Sequence, residues 1–121
     1  MIQGFENETK PLTDYERNVL LPVVVNGLKG KIGAAKAVSN SHICKSLRAA
    51  GYDVTEVRIR KIINHIRVNG LVFFLIASGK GYYIAEKRQE VAEYIESLKG
   101  RENAIKAVRI SMEKQLEQAA L

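Results

Sequence analysis

Residues 41–85 read SHICKSLRAAGYDVTEVRIRKIINHIRVNGLVFFLIASGKGYYIA, and the middle of that stretch, TEVRIRKIINHIRVN at 55–69, decides how the chain is built. At about 100° per residue on a helix, Ile59, Ile62, Ile63 and Ile66 recur at i, i+3, i+4, i+7 and form one apolar stripe. Arg58, Lys61, Asn64, His65 and Val68 are assigned to the opposite side, with Arg60 and Arg67 on the flanks. The pattern predicts a helix buried on its isoleucines that shows donors to whatever lies in front. Arginine, lysine and asparagine there suit phosphates and base edges in a DNA groove. Taken alone, a solvated basic face would have the same composition.

Working outward, the neighbours supply context. Ser39-Asn40-Ser41 is a cluster of N-cap residues, and from Ser41 a helix of ten or so residues carries Ile43, Leu47 and Ala50 inward. Gly51 stands where a helix of that length needs a left-handed C-terminal residue. Tyr52-Asp53-Val54 then turns the chain, Asp53 or Thr55 caps the basic helix, and Asn69-Gly70 closes it. Two β-rich runs follow, Leu71 to Ala77 and Tyr82 to Ala85, joined by Ser78-Gly79-Lys80-Gly81. They predict a hairpin with a small, cationic tip.

Upstream, Thr13-Asp14-Tyr15-Glu16 has the spacing of a capping box and opens a helix with apolar positions 19, 20, 23, 24 and 28. Pro22 within it implies a kink there or a later helix start. A short strand is expected near Ala37-Val38, and a polar, flexible leader over residues 1–12. Downstream, residues 86–121 are helical in composition, and Gly100 allows one bent helix or two consecutive ones. Val91, Leu98, Ile105 and Met112 recur every seven residues, so this segment either packs on the domain or pairs two copies as a homodimer. The fold class expected is α+β, mainly α with a small β-hairpin.

Charge is unevenly distributed. The chain of 121 residues carries a net +6, yet residues 29–80 hold ten Lys/Arg against Asp53 and Glu56, a surplus of +8, and the rest is slightly acidic. That segregation is the footprint of a polyanion-binding face. The lone Cys44 permits no intramolecular disulfide, and the N-terminal MIQGFENETK has no apolar run, so a cytoplasmic protein is expected. His42 and Cys44 diverge by about 200° on a helix, which argues against a metal site. No glycine-rich phosphate loop or nucleophile–base pair emerges, so neither a cofactor nor an enzyme is expected.

The order of helices at 13–29, 41–50 and 55–69 and hairpin at 71–85 resembles a winged helix-turn-helix domain. ICKSLRAAGYDVTEVRIRKIINHIRVNGLV resembles the second and third helices of that family, and GKGYYIA its wing, as in bacterial repressors and the DNA-binding lobe of biotin-ligase repressors. The whole chain is similar to small uncharacterised winged-helix proteins of prophage-like regions. The connection from Gly51 to Val54 is longer than the tight turn of phage repressors.

The resemblance implies sequence-specific binding of double-stranded DNA by a transcriptional regulator or phage-type accessory factor. The third helix would enter the major groove with Thr55, Glu56, Arg58, Lys61, Asn64 and His65, Arg58 reading guanine and Asn64 adenine. Ser41 and Lys45 would hold phosphates at the second helix and Lys80 would reach the duplex from the wing. Roughly five phosphate contacts would give a salt slope near −4.5. A dimer would set two third helices about 34 Å apart. The alternative is a winged-helix module that binds protein rather than DNA. Recognition of single-stranded or structured nucleic acid would need aromatics on the basic face, and only Tyr82 and Tyr83 are candidates.

Overall fold

A computed structural model of the chain describes residues 10–119. The chain divides after Glu86 into two compact units. In the first, a π-helical stretch, Glu16–Leu20, runs directly into helix α1, Leu21–Leu28. The wide turn falls just ahead of Pro22, whose ring would clash with the carbonyl of a regular preceding turn and which has no N–H to donate. The proline is thus accommodated by local widening, without a late start. The Thr13 capping box forms as its spacing predicts: the Thr13 N–H donates to Glu16 Oε1 at 2.8 Å and the Glu16 N–H to Thr13 Oγ1 at 3.1 Å.

A short 3₁₀ turn, Ala34–Lys36, leads to α2, Asn40–Ala49. Ser39 is its N-cap, accepting from the His42 N–H at 3.1 Å. The helix therefore begins one residue before Ser41, which lies in its first turn. Gly51 takes the left-handed conformation, and the Tyr52 N–H closes on the Leu47 carbonyl at 2.9 Å. Helix α3, Glu56–Asn69, is capped by Thr55 and closed by left-handed Gly70. Ile59, Ile62, Ile63 and Ile66 are at most 1% exposed and meet Leu20, Val24, Leu28, Leu47 and Val72 in one core. At about 1.5–3 kcal/mol for each fully buried aliphatic side chain, this stripe is the largest apolar contribution of any one element.

The hairpin is shorter than its apolar sequence suggests. Strands β1, Leu75–Ser78, and β2, Gly81–Ile84, pair antiparallel with Ser78 opposite Gly81, leaving Gly79-Lys80 as a two-residue turn. Residues 71–74, read as strand from their apolar run, form turns instead. The left-handed exit at Gly70 rotates the chain, so Val72 alone of this group is buried while Phe73 and Phe74 are 71% and 59% exposed. Phe74 itself sits at φ 61°, a conformation uncommon for a bulky residue.

On its other edge β2 meets the 31–38 segment: Val38 and Tyr82 exchange both backbone hydrogen bonds at 2.8 and 3.0 Å, and the Ile84 N–H donates to the Lys31 carbonyl at 2.7 Å. The short strand expected near Ala37-Val38 is therefore a single antiparallel bridge at Val38. That approach requires glycine at 81, where φ is 123° and a Cβ would meet the Val38 carbonyl oxygen at 2.3 Å. The second unit is one continuous helix, α4, Arg88–Gln118, with Gly100 inside it and no buried residue along its length. No helix of the described residues is long and apolar enough to cross a membrane.

Candidate nucleic-acid interface

Helix α3 offers its outer face on the terms its isoleucines set. With the stripe centred on Ile59, Ile62, Ile63 and Ile66, the direction opposite passes through Val57, Lys61, Asn64 and Val68 at about 100° per residue. Asn64 is exposed, as is Arg60 beside it, and Lys61 and His65 are half-buried. Arg58 lies roughly 90° from that direction, and the structure gives it other work.

The Arg58 guanidinium clasps Glu16 in a two-point ion pair: Nε donates to Oε2 at 2.7 Å and Nη2 to Oε1 at 2.6 Å. It also donates to the Lys10 carbonyl at 3.0 Å and the Pro11 carbonyl at 2.9 Å. The two side chains are 15% and 9% exposed. The hydrogen bonds from Arg58 hold the Glu16 carboxyl below its usual range against the opposing effect of burial, with the Thr13 N–H assisting. The same carboxylate raises the pKa of Arg58. The sequence reading that sends Arg58 to a guanine is corrected here, because the side chain is committed to Glu16 and to the chain entering the first helix. The leader is corrected with it: Lys10 and Pro11 are held by their carbonyls and Leu12 is buried. Residues 1–9 of that predicted leader lie outside the described residues.

Thr55 is likewise occupied, its hydroxyl accepting the Arg58 N–H at 3.3 Å as the cap of α3. The His65 ring lies 3.4 Å from the Asn69 amide, and that amide donates to the His65 carbonyl at 2.9 Å. At α2, Ser41 is half-buried and Lys45 exposed. Lys80 is exposed at the hairpin tip, where Ser78 Oγ accepts the Lys80 N–H at 3.2 Å and donates to the Gly81 carbonyl at 3.0 Å, bracing the turn. Tyr82 packs against the core, and neither tyrosine of β2 is fully exposed.

Two contacts that spacing did not reveal set the angle between α2 and α3. Asn40 Nδ2 donates to the Glu56 carbonyl at 2.8 Å, tying the start of one helix to the start of the other. Arg48 Nε donates to the Val54 carbonyl at 2.9 Å, with Cys44 Sγ 3.6 Å from the same oxygen. The longer connection after Gly51 is thereby pinned from α2. Cys44 is buried as a small core residue. Among the described residues no three His, Cys, Asp or Glu side chains gather as metal ligands.

What the unit presents is therefore a helix whose exposed face carries Arg60, Lys61 and Asn64, and a hairpin tip carrying Lys80. Both lie in the segment that concentrates the positive charge. Compared with known proteins, the chain matches no family, no curated protein and no solved structure.

Proposed function

We propose that this chain is a winged helix-turn-helix protein that binds duplex DNA sequence-specifically, acting as a transcriptional regulator or an accessory DNA-binding factor rather than an enzyme. One observation carries the reading: the outer face of α3 carries Arg60, Lys61 and Asn64 around an exposed Val68, and the surplus of +8 lies within residues 29–80, which hold α2, α3 and the hairpin tip. The basic segment captures the duplex by counterion release, and α3 then reads the major groove. Asn64 is the adenine-reading candidate, and Arg60 replaces Arg58 as the arginine able to reach a guanine. Lys61, Lys45 and Lys80 serve phosphates, and Ser41 contributes from the first turn of α2. Thr55 and Arg58 act by holding α3 in place.

A second reading, a module that binds protein through the same fold, draws support from the exposed Phe73–Phe74 pair. Their rings meet edge to face at 5.9 Å on a turn that also exposes Leu71. Fluorescence anisotropy with a mixed-sequence duplex of about three helical turns separates the two readings. DNA binding predicts an affinity that falls with salt, with a slope near −3 for three lysines on phosphates, and a loss of tenfold or more in Lys61→Ala/Asn64→Ala. An absence of binding at low salt, or a double variant that binds like the parent, would refute DNA reading by α3.

A further inference from the structure

Taken by itself, helix α4 carries an apolar stripe with no partner within its own unit. Its 31 residues span about 46 Å. At 100° per residue, Val91, Leu98, Ile105, Val108, Met112 and Leu116 all fall within roughly 60° of the direction of Ile105, so the stripe runs straight along the helix. Ile105, Met112 and Leu116 are 70%, 62% and 70% exposed. A helix about 10–12 Å wide and of this length offers on the order of 500 Å² in projection, and more as accessible surface. That approaches the roughly 600–1,000 Å² per partner that a stable dimer buries, and lies toward the upper end of the roughly 300–600 Å² of a monomer's largest patch.

Charge identifies the occupant. Six Lys/Arg and six Asp/Glu lie within Arg88–Gln118, so the helix is neutral although the protein is strongly basic, and two copies can approach along it without net repulsion. Four charged residues interrupt the stripe: Glu90, Arg101, Glu102 and Arg109. In a parallel pair each would face its own copy, arginine on arginine and glutamate on glutamate. In an antiparallel pair centred between 101 and 102, near the middle of the helix, Arg101 faces Glu102 of the second copy and the reverse. That one register also sets Leu98 opposite Ile105, Val91 opposite Met112 and Ile95 opposite Val108. Leu116 then lies over the aliphatic stem of Lys87. Arg101, now over the Tyr94 ring at 5.8 Å on its own helix, is an exposed side chain and can turn to the new partner.

We infer that α4 is a self-association helix that pairs antiparallel with α4 of a second copy of this chain, about a two-fold axis passing between Arg101 and Glu102. The inference stands independently of DNA binding. Its test is sedimentation velocity of the full chain up to roughly 100 µM, alongside far-UV circular dichroism. The parent sediments as a dimer, and Ile105→Glu/Met112→Glu, at two exposed positions, weakens association about 100-fold or more. Arg101→Glu, which sets glutamate against glutamate twice in this register, weakens it about tenfold, and Arg101→Glu/Glu102→Arg restores it. A monomeric parent throughout the range, or a dimer indifferent to Ile105→Glu/Met112→Glu, would overturn the inference. A dimer that Arg101→Glu leaves unchanged would overturn the antiparallel pairing, since a parallel pair has like facing like in every variant.

Discussion

Replacing Arg58 by methionine should cost the first unit about 3 kcal/mol, because it strands a buried carboxylate. Glu16 is 9% exposed at its side chain and accepts two hydrogen bonds from Arg58; without them the Thr13 N–H is its remaining donor among the described residues. Breaking a buried pair by removing one partner costs about 3–5 kcal/mol, and the residual exposure of both groups places this one near the lower end. The Lys10 and Pro11 carbonyls lose their donor at the same time, which loosens the chain around buried Leu12.

The assay is urea unfolding followed by circular dichroism at neutral and acid pH. Since the Glu16 pKa is lowered on folding, chiefly by Arg58, the pair's stabilisation is fully present above the ordinary carboxylate pKa and disappears as pH falls through the lowered folded value. The parent therefore loses stability on acidification, while Arg58→Met, already without the pair, loses less. Glu16→Gln/Arg58→Met, which removes the stranded charge, recovers a substantial part of the 3 kcal/mol or so. DNA affinity of the folded Arg58→Met protein stays within about threefold of the parent, because this side chain faces Glu16 and not the groove. An Arg58→Met variant within about 0.5 kcal/mol of the parent, or one with the same acid dependence, would refute the reasoning.

At Gly81, alanine would place its Cβ 2.3 Å from the Val38 carbonyl oxygen at φ 123°, so Gly81→Ala should destabilise by about 2–4 kcal/mol in the same unfolding experiment. Phe74→Gly relieves a left-handed aromatic residue that is more than half exposed; thermal unfolding should show a gain of about 0.5–1 kcal/mol, and a loss would mean the ring is anchored. Gly100 has open space around it in the middle of α4, and Gly100→Ala should raise helix stability by up to about 1 kcal/mol, read from the helical signal on heating. In the anisotropy titration, Lys80→Ala should flatten the salt slope by about one without changing sequence preference, whereas Asn64→Ala should relax preference at one base pair and leave the slope alone.

Much of this chain is legible residue by residue because its signals are local. The isoleucine spacing of α3, the Thr13–Glu16 box, the Thr55 cap and the glycines at 51 and 70 each act within a turn or two of backbone. They specify three helices and their ends, followed by a hairpin. The charge surplus of residues 29–80 and the heptad recurrence in α4 are likewise properties of the sequence alone. Tertiary structure decided what depends on partners distant along the chain. Arg58 resembles any other arginine on a basic helix until Glu16, 42 residues earlier, is folded beside it. The joining of α2 to α3 through Asn40 and Glu56 and the pairing of Val38 with Tyr82 are hydrogen bonds whose partners no periodicity predicts. Phe73 and Phe74 follow the same principle in reverse: an apolar run has the composition of a strand, but the left-handed exit at Gly70 directs both rings outward. Side-chain type and spacing determine which face a helix buries; only the packed fold determines which of the remaining charges are committed to holding it there.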